Sequence, residues 1–277
     1  MAPLAAWPAR GAPPGPLRLN TFLHNRVIGV PTSLPPPPPL VGSLNSGIRP
    51  PVRMRAKQLP QGWLLPLGGA LLVALPVFLQ APWVRLAPFS AALFTVPLLM
   101  LALTLEAGRQ PRWQSLGCLL VGFSGSWLGG CLFWGWFRLH PLWHLPIEAF
   151  ALPLALGGLR GRWRLAASFY LASLLGTACT DAVMAITGVM SCWTGVLQAP
   201  IEQAPALLQL AALRVLEPLP LAVTLLTGTG LTALCRCYWN HPDPAWRVGA
   251  SAVATTLAVD GLFLAAALWA PQLSGLI

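Results

Sequence analysis

Two aspartates lie inside long apolar runs of this 277-residue chain, Asp181 and Asp260. A charged residue at the centre of a membrane span costs about 2.5–3.5 kcal/mol on insertion scales, so acids at this depth normally face the protein interior and have partners. Thr180, directly before Asp181, adds a hydroxyl. These three residues are candidates for binding a proton, a cation or the polar part of a substrate. The alternative is a structural hydrogen bond between helices, with a partner such as Thr180, Thr224, Thr227 or Thr229.

A second polar group lies around the start of the fourth apolar run. His140, His144 and Glu148 are spaced four apart, which would align them on one face of a helix. Two imidazoles and a carboxylate are also ligand types that zinc and iron accept. Pro141 and Pro146 interrupt any continuous helix through them, so we assign no metal and no cofactor. Glu148 joins the candidate substrate or ion site, and the histidines form a candidate polar cluster on the outer face.

Further acids follow the fifth apolar run. Glu202 and Glu217 lie in the longest predicted external loop and could join the histidines around an outward-facing vestibule. With Glu148, Asp181 and Asp260 they make five acids at or beyond the predicted midplane. This uneven distribution favours a site in the outer half of the membrane.

Seven apolar runs would position these residues. A span needs roughly 20 apolar residues to cross the hydrocarbon core. The runs are Trp63–Gln80, Leu86–Leu105, Ser115–Phe137, Leu145–Leu159, Leu165–Met190, Pro218–Cys235 and Val248–Ala270. The fourth is short and holds two prolines, so it could be tilted, broken or re-entrant. The sequence therefore predicts an all-α membrane domain over residues 61–277, with an interfacial helix within 203–217.

The basic residues predict the orientation of these spans. Short basic loops resist translocation, so they stay in the cytoplasm. With a cytoplasmic amino terminus and an external carboxyl terminus, three arginines face outward: Arg85, Arg138 and Arg214. Fourteen basic residues then face the cytoplasm: Arg10, Arg18, Arg26, Arg49, Arg53, Arg55, Lys57, Arg109, Arg112, Arg160, Arg162, Arg164, Arg236 and Arg247.

The composition excludes a water-soluble globule. The chain is 56% hydrophobic and 9% charged, whereas soluble domains carry about 25% charged residues. The lipid bilayer is therefore the expected partner. The net charge of +10 lies in the basic hinges, which could contact anionic lipids. No compact basic groove with interleaved aromatic residues indicates a nucleic acid partner.

Small residues recur in the third run, where Gly122, Ser126 and Gly130 are spaced by four. This spacing lets another helix approach closely, either within the bundle or in a homodimer, which nothing else indicates. Cys131 and Cys192 both fall near the predicted outer face. They could form a disulfide in an oxidising compartment.

Residues 1–57 differ from the rest of the chain, with seven basic residues, no acid and the proline run Pro35–Pro39. This composition predicts a disordered segment. Three interpretations stay open: a basic tail that contacts lipid, a cleaved transit peptide, or an untranslated stretch before a start at Met54.

The segment from Gln61 onward resembles a family of uncharacterised multi-pass membrane proteins of cyanobacteria. The resemblance is carried by G-W-L-L-P-L at Gly62–Leu67, A-P-W-V-R at Ala81–Arg85, the Gly- and Trp-rich stretch Gly122–Arg138, T-D at Thr180–Asp181 and E-P-L-P at Glu217–Pro220. It implies a plasma or thylakoid membrane, and no activity or catalytic residue.

Three functions are consistent with these features. A permease or cation-coupled carrier would use Asp181 and Asp260, and both should face an aqueous cavity. A membrane biogenesis or photosynthetic-complex assembly factor, without catalysis, should have an exposed small-residue or aromatic groove instead. A membrane-embedded lipid or isoprenoid enzyme should bring His140, His144 and Glu148 together with Asp181.

Overall fold

The computed structural model describes residues 62–272, and within this range it is all-α with no strand. Six helices are long and apolar enough to cross a membrane: α1 (Leu64–Leu86), α2 (Pro88–Glu106), α3 (Pro111–Phe137), α4 (Arg164–Ile186), α6 (Pro218–Trp239) and α7 (Pro244–Trp269). A shorter helix, α5 (Ala204–Val215), lies where an interfacial helix was expected. The predicted tail, residues 1–57, lies outside the described residues.

Polar contacts group the helix ends into two sets. At one end Arg162 pairs with Glu106 at 3.7 Å and Arg164 with Asp243 at 2.7 Å. At the other end the Trp193 indole donates to the carbonyl of Arg138 at 2.7 Å. We call these the inner and outer ends, after the orientation that the arginines predict. The contacts join residues that the sequence assigned to a common side of the membrane.

Helix α3 lies at the centre of the bundle. In the most apolar stretch of α3, 61% of the residues are buried, whereas in that of α6 only 6% are. Glycines allow this position, because a Cβ at Gly122 would overlap the carbonyl oxygen of Ala166 on α4. Trp127 is fully buried in the core and donates its indole N–H to the carbonyl of Ala91 at 3.0 Å.

The predicted fourth span is not a continuous helix. The segment 141–158, called here the broken segment, consists of four short pieces: Pro141–Trp143, His144–Glu148, Ala149–Ala151 and Leu152–Gly158. Prolines at positions 146 and 153 remove backbone donors and account for the interruptions. The Tyr170 hydroxyl of α4 compensates, since it donates to the carbonyl of Glu148 and accepts from the amide of Ala151.

The broken segment nevertheless follows α4 over most of its length. His144 contacts Asp181 near the outer end of α4, while Ala155 packs with Tyr170 and Ala167. Gly158 lies beside Ala167 and Trp163, at the inner end. At 1.5 Å per residue, Asp181 and Ala167 are about 21 Å apart along α4. The contacts support a seventh crossing, which stays a prediction.

Two π-helical turns lie near the outer end, Pro76–Gln80 in α1 and Phe133–Phe137 in α3. The first brings the buried Gln80 side chain onto α3, where it donates to the carbonyl of Trp127 at 2.5 Å and to the Cys131 sulfur at 2.9 Å. Cys131 and Cys192 are both free, so the disulfide suggested by the sequence is absent. The buried thiol of Cys131 has Gln80 as its partner instead.

Labelling of introduced cysteines can determine the number of membrane crossings. Leu142, at the start of the broken segment, is 79% exposed, and Gly161, just after it, is also exposed. In a variant with all six native cysteines replaced, we expect Leu142→Cys and Gly161→Cys to react with an impermeant maleimide from opposite sides of sealed vesicles. Labelling of both from one side would reduce the count to six crossings.

The close approach of α3 and α4 can be tested with glycine substitutions. Gly122→Ala should lower the unfolding temperature in detergent, because overpacking typically costs about 1–3 kcal/mol. Gly261→Ala is the matched control, since its added Cβ meets open space within helix α7. It should leave stability unchanged or raise it by up to ~1 kcal/mol through helix propensity. Equal effects of the two substitutions would contradict this packing.

Candidate functional site

An imidazole lies between two carboxylates where the broken segment meets α4. His144 Nδ1 is 3.1 Å from the Asp181 carboxylate, and His144 Nε2 is 3.3 Å from Glu148 Oε1. The three side chains are only 16%, 17% and 19% exposed. The second piece of the broken segment, His144–Glu148, supplies His144 and Glu148 one turn apart, and α4 supplies Asp181. We call these three side chains the acid–imidazole cluster.

The geometry indicates a protonated imidazole. A neutral imidazole has only one N–H, whereas here both ring nitrogens face carboxylate oxygens and each needs a proton to donate. Burial by itself disfavours the charged ring, but the hydrogen bonds and charges of Asp181 and Glu148 outweigh it and raise the pKa of His144 to about 9. His144 lies before the predicted crossing 145–159 and outside the six long helices.

Aromatic side chains from α3 fix the imidazole ring. Phe133 stacks on it with ring centroids 4.1 Å apart, and Trp134 approaches at 6.4 Å in an edge-on arrangement. Both belong to the second π-helical turn, Phe133–Phe137. A cation over an aromatic face is stabilised by the ring quadrupole, which favours the charged form of His144.

Glu148 has partners from two helices. The Thr177 hydroxyl donates to Glu148 Oε2 at 3.1 Å. On the other side Gly129 of α3 leaves room for the backbone of Glu148, because a Cβ there would lie 3.1 Å from the Glu148 Cα. Thr177 and Asp181 are four residues apart, so a single face of α4 contacts both Glu148 and His144.

Asp260 of α7 has a partner on the neighbouring face of α4. The Thr180 hydroxyl lies 2.7 Å from Asp260 Oδ2 and 3.1 Å from the carbonyl of Gly176. The Thr180 hydroxyl has one hydrogen and can donate to only one of these two oxygens at a time. Both contacts are hydrogen bonds at once if Asp260 is protonated and donates to the Thr180 oxygen. Of the partners suggested by the sequence, Thr180 makes the contact. Thr224 has a buried hydroxyl without a hydrogen-bond partner within 62–272, and Thr229 bonds the carbonyl of Leu225 on its own helix.

Other candidate residues lie apart from the cluster. His140 and Glu202 are exposed. Among the described residues no group of three His, Cys, Asp or Glu side chains could hold a metal ion. The four-residue spacing of the two histidines therefore does not produce a common face, because the helical piece begins only at His144. Ser126 and Gly130 lie on α3, where Gly130 borders the Gln80 amide.

Glu217 lies at the outer end beside two cavities. The larger, about 410 Å³, is lined by Ile186, Thr187, Glu217, Pro218, Leu219, Pro220 and Val223. The smaller, about 190 Å³, is lined by Cys192, Leu210, Leu213, Arg214 and Glu217. Thr187 follows Asp181 by six residues, or about 9 Å of helix rise. The outer cavities thus approach the acid–imidazole cluster without including it.

Sequence analysis did not identify three residues that contact the acid–imidazole cluster or the broken segment. Thr177 is one of many threonines in apolar runs, and only the fold shows that it faces Glu148. Tyr170 gave a weak signal, as one of two tyrosines in the chain. Phe133 lies in an aromatic run typical of a membrane interface, and the π-helical turn that rotates it onto His144 has no signature in the sequence.

The raised pKa of His144 predicts how stability depends on pH. The folded-state value of about 9 exceeds the ordinary 6.5, so the stabilisation is complete below pH 6.5 and is lost as pH rises through 9. We expect the unfolding temperature in detergent to fall over this interval.

His144→Phe should abolish that decline, because phenylalanine can still stack on Phe133 but cannot hold the proton. His140→Phe is the matched control and should keep the decline, since His140 lies outside the cluster. An unchanged pH profile in His144→Phe would contradict the assigned protonation.

Comparison with known proteins places the chain in a family without assigning an activity. No curated protein and no solved structure matches it. Residues 69–268 match a family described as a protein of unknown function, DUF3120. This range spans α1 to α7 and contains the whole acid–imidazole cluster together with Thr180 and Asp260. The chain belongs to the DUF3120 family.

Proposed function

We propose that this protein is a proton-coupled carrier for a small or amphiphilic solute in a bacterial plasma or thylakoid membrane. The observation that carries the proposal is the position of His144 between Asp181 and Glu148, largely withdrawn from solvent within the bundle. Of its partners, Glu148 lies in the predicted crossing 145–159 and Asp181 in α4, and acids inside membrane spans are costly and typically serve proton or ion pathways.

The charge balance of the cluster supports proton binding. The imidazole of His144 faces two carboxyl groups, so the cluster holds more acids than bases. Asp260 adds a further acid on the adjacent face of α4, through Thr180. No lysine or arginine takes part in the described contacts of these side chains. The additional carboxyl groups can bind a proton or a substrate cation, which is the property that a coupling site requires.

The two ends of the bundle support alternating access. At the inner end the ion pairs Arg162–Glu106 and Arg164–Asp243 link neighbouring elements, and Arg247 donates to the carbonyl of Gly62 at 2.5 Å. The cavities lie at the outer end, beside Glu217. This combination is expected of a carrier that is closed toward the cytoplasm and open outward.

The enzyme hypothesis has less support. Its expected convergence holds for His144, Glu148 and Asp181, but His140 is exposed and apart from them. Both nitrogens of His144 already face carboxylates, so neither is available to take a proton from a substrate.

A specific observation favours assembly as a second candidate. Only 6% of the residues in the most apolar stretch of helix α6 are buried, and a Cβ at Gly228 would meet no atom within 4 Å. An open glycine on such an exposed helix lets a partner helix approach closely. Under this alternative, Gly228→Leu should prevent recovery of a partner from membranes while Asp181→Asn should not.

Proton movement tests the carrier proposal. Wild-type protein in proteoliposomes containing a pH-sensitive dye should move protons when one of a panel of solutes is added outside. The panel comprises alkylammonium, alkyl phosphate, amino acid and zwitterionic lysolipid. Asp181→Asn and Asp260→Asn should insert normally and lower the rate at least about tenfold, because an amide cannot take up the proton.

Glu202→Gln is the control, an exposed acid of the outer end outside the cluster. It should retain the wild-type rate. If no solute moved protons with the wild type, or if the Asp181 variant matched it, the proposal would be wrong. Loss of membrane abundance in both aspartate variants would instead indicate a purely structural role.

A further inference from the structure

The two outer cavities share one wall, which is formed by Glu217. This residue lies between α5 and α6 and lines both spaces. The larger is otherwise lined by uncharged residues, among them the hydroxyl-bearing Thr187, and the smaller adds Arg214. Their volumes, about 410 and 190 Å³, place the larger within the range of about 300–1,000 Å³ that is typical of ligand pockets.

Glu217 and Arg214 present opposite charges to this space without neutralising each other. They are three residues apart, yet no ion pair joins them within 4 Å, and the carboxylate has no ion-pair partner in the part of the chain that is described. Arg214 Nη1 is held 3.7 Å from the sulfur of Cys192, another residue of the smaller cavity. A carboxylate and a guanidinium therefore both line the combined site.

The remaining walls are apolar and continue onto the outer surface of the bundle. Ile186 is 67%, Leu219 72% and Leu210 63% exposed. On a membrane protein such side chains contact lipid, so the cavities open toward the acyl region as well as toward the outer aqueous phase. A ligand with a polar head and an apolar chain satisfies both surroundings.

We infer that these adjoining cavities bind a zwitterionic amphiphile, a molecule with an ammonium group, an oxyanion and an apolar chain. The Glu217 carboxylate accepts hydrogen bonds from the ammonium group. The Arg214 guanidinium donates to the oxyanion, and Ile186, Leu219 and Val223 contact the chain. The inference rests on the proposed carrier function and names the class of its substrate.

Binding can be measured without transport. Purified protein in detergent would be titrated with lysophosphatidylethanolamine and followed by native mass spectrometry. Two probes with the same chain but charge of only one sign, an alkylammonium and an alkyl phosphate, test whether the site requires both signs of charge. Free phosphoethanolamine reports the apolar requirement. We expect one saturable site for the zwitterionic lysolipid, at least about tenfold tighter than for the other three probes.

Variants assign the site to these residues. Glu217→Gln and Arg214→Gln should each weaken binding at least about tenfold. Glu202→Gln and Arg138→Gln are matched controls, because they remove one charge of each sign at the outer end from residues that line neither cavity. Unfolding temperatures of all four variants, compared with the wild type, verify that they are folded.

The outcomes separate this inference from the carrier proposal. Each of three results would overturn the inference. These are unchanged binding in Glu217→Gln and Arg214→Gln, equally tight binding of a probe with charge of only one sign, and equally tight binding of free phosphoethanolamine. Saturable lysolipid binding by a wild-type protein that moves no protons with any solute supports the site and contradicts the carrier. Proton movement with other solutes and no lysolipid binding does the reverse.

Discussion

Neutralisation of charge inside the bundle is the constraint on which the rest of this structure depends. Three ionisable side chains meet where water is scarce, and each would be expensive alone. His144 stabilises the arrangement because its two ring nitrogens contact both carboxyl groups at once. The ring lies in a segment that prolines interrupt, the Tyr170 hydroxyl bonds the freed backbone groups, and Phe133 stacks on the imidazole. These three irregular features of the fold therefore meet at one site.

Close approach of α3 is the second requirement. Gly122 lets α3 lie against the backbone of Ala166, and Gly129 leaves room for Glu148 two turns further along. Between them Gly125 borders the ring of Tyr170, the residue that supports the interrupted backbone. The glycines that pack α3 against α4 thus also set the depth at which the broken segment lies. Packing and site geometry cannot be altered separately along this helix.

The sequence predicted the chemistry of the site better than its geometry. Asp181, Asp260 and Glu148 were recognisable because acids are rare in apolar runs, and that rarity needs no knowledge of contacts. The pairing of His144 with two carboxylates was not predictable, since it depends on how the broken segment lies against α4. The suggested disulfide of Cys131 and Cys192 failed for a related reason: proximity to one face of a membrane says little about lateral neighbours. The Cys131 sulfur accepts from Gln80 instead.

Helix α4 connects the two regions to which we assign function. Asp181, in the last turns of α4, contacts the His144 imidazole. Ile186 and Thr187, at the end of α4, line the larger outer cavity. Gly188 follows with a φ of 73°, a left-handed conformation that ends the helix at the cavity wall. A change in the charge of the cluster that moved α4 would therefore move part of the cavity with it. Coupling of this kind would be reciprocal: if proton binding in the cluster changed the affinity of the cavity for a ligand, the ligand would change the proton affinity by the same free energy. On the proposed function, a proton site and a solute site on one helix would couple transport without any residue belonging to both.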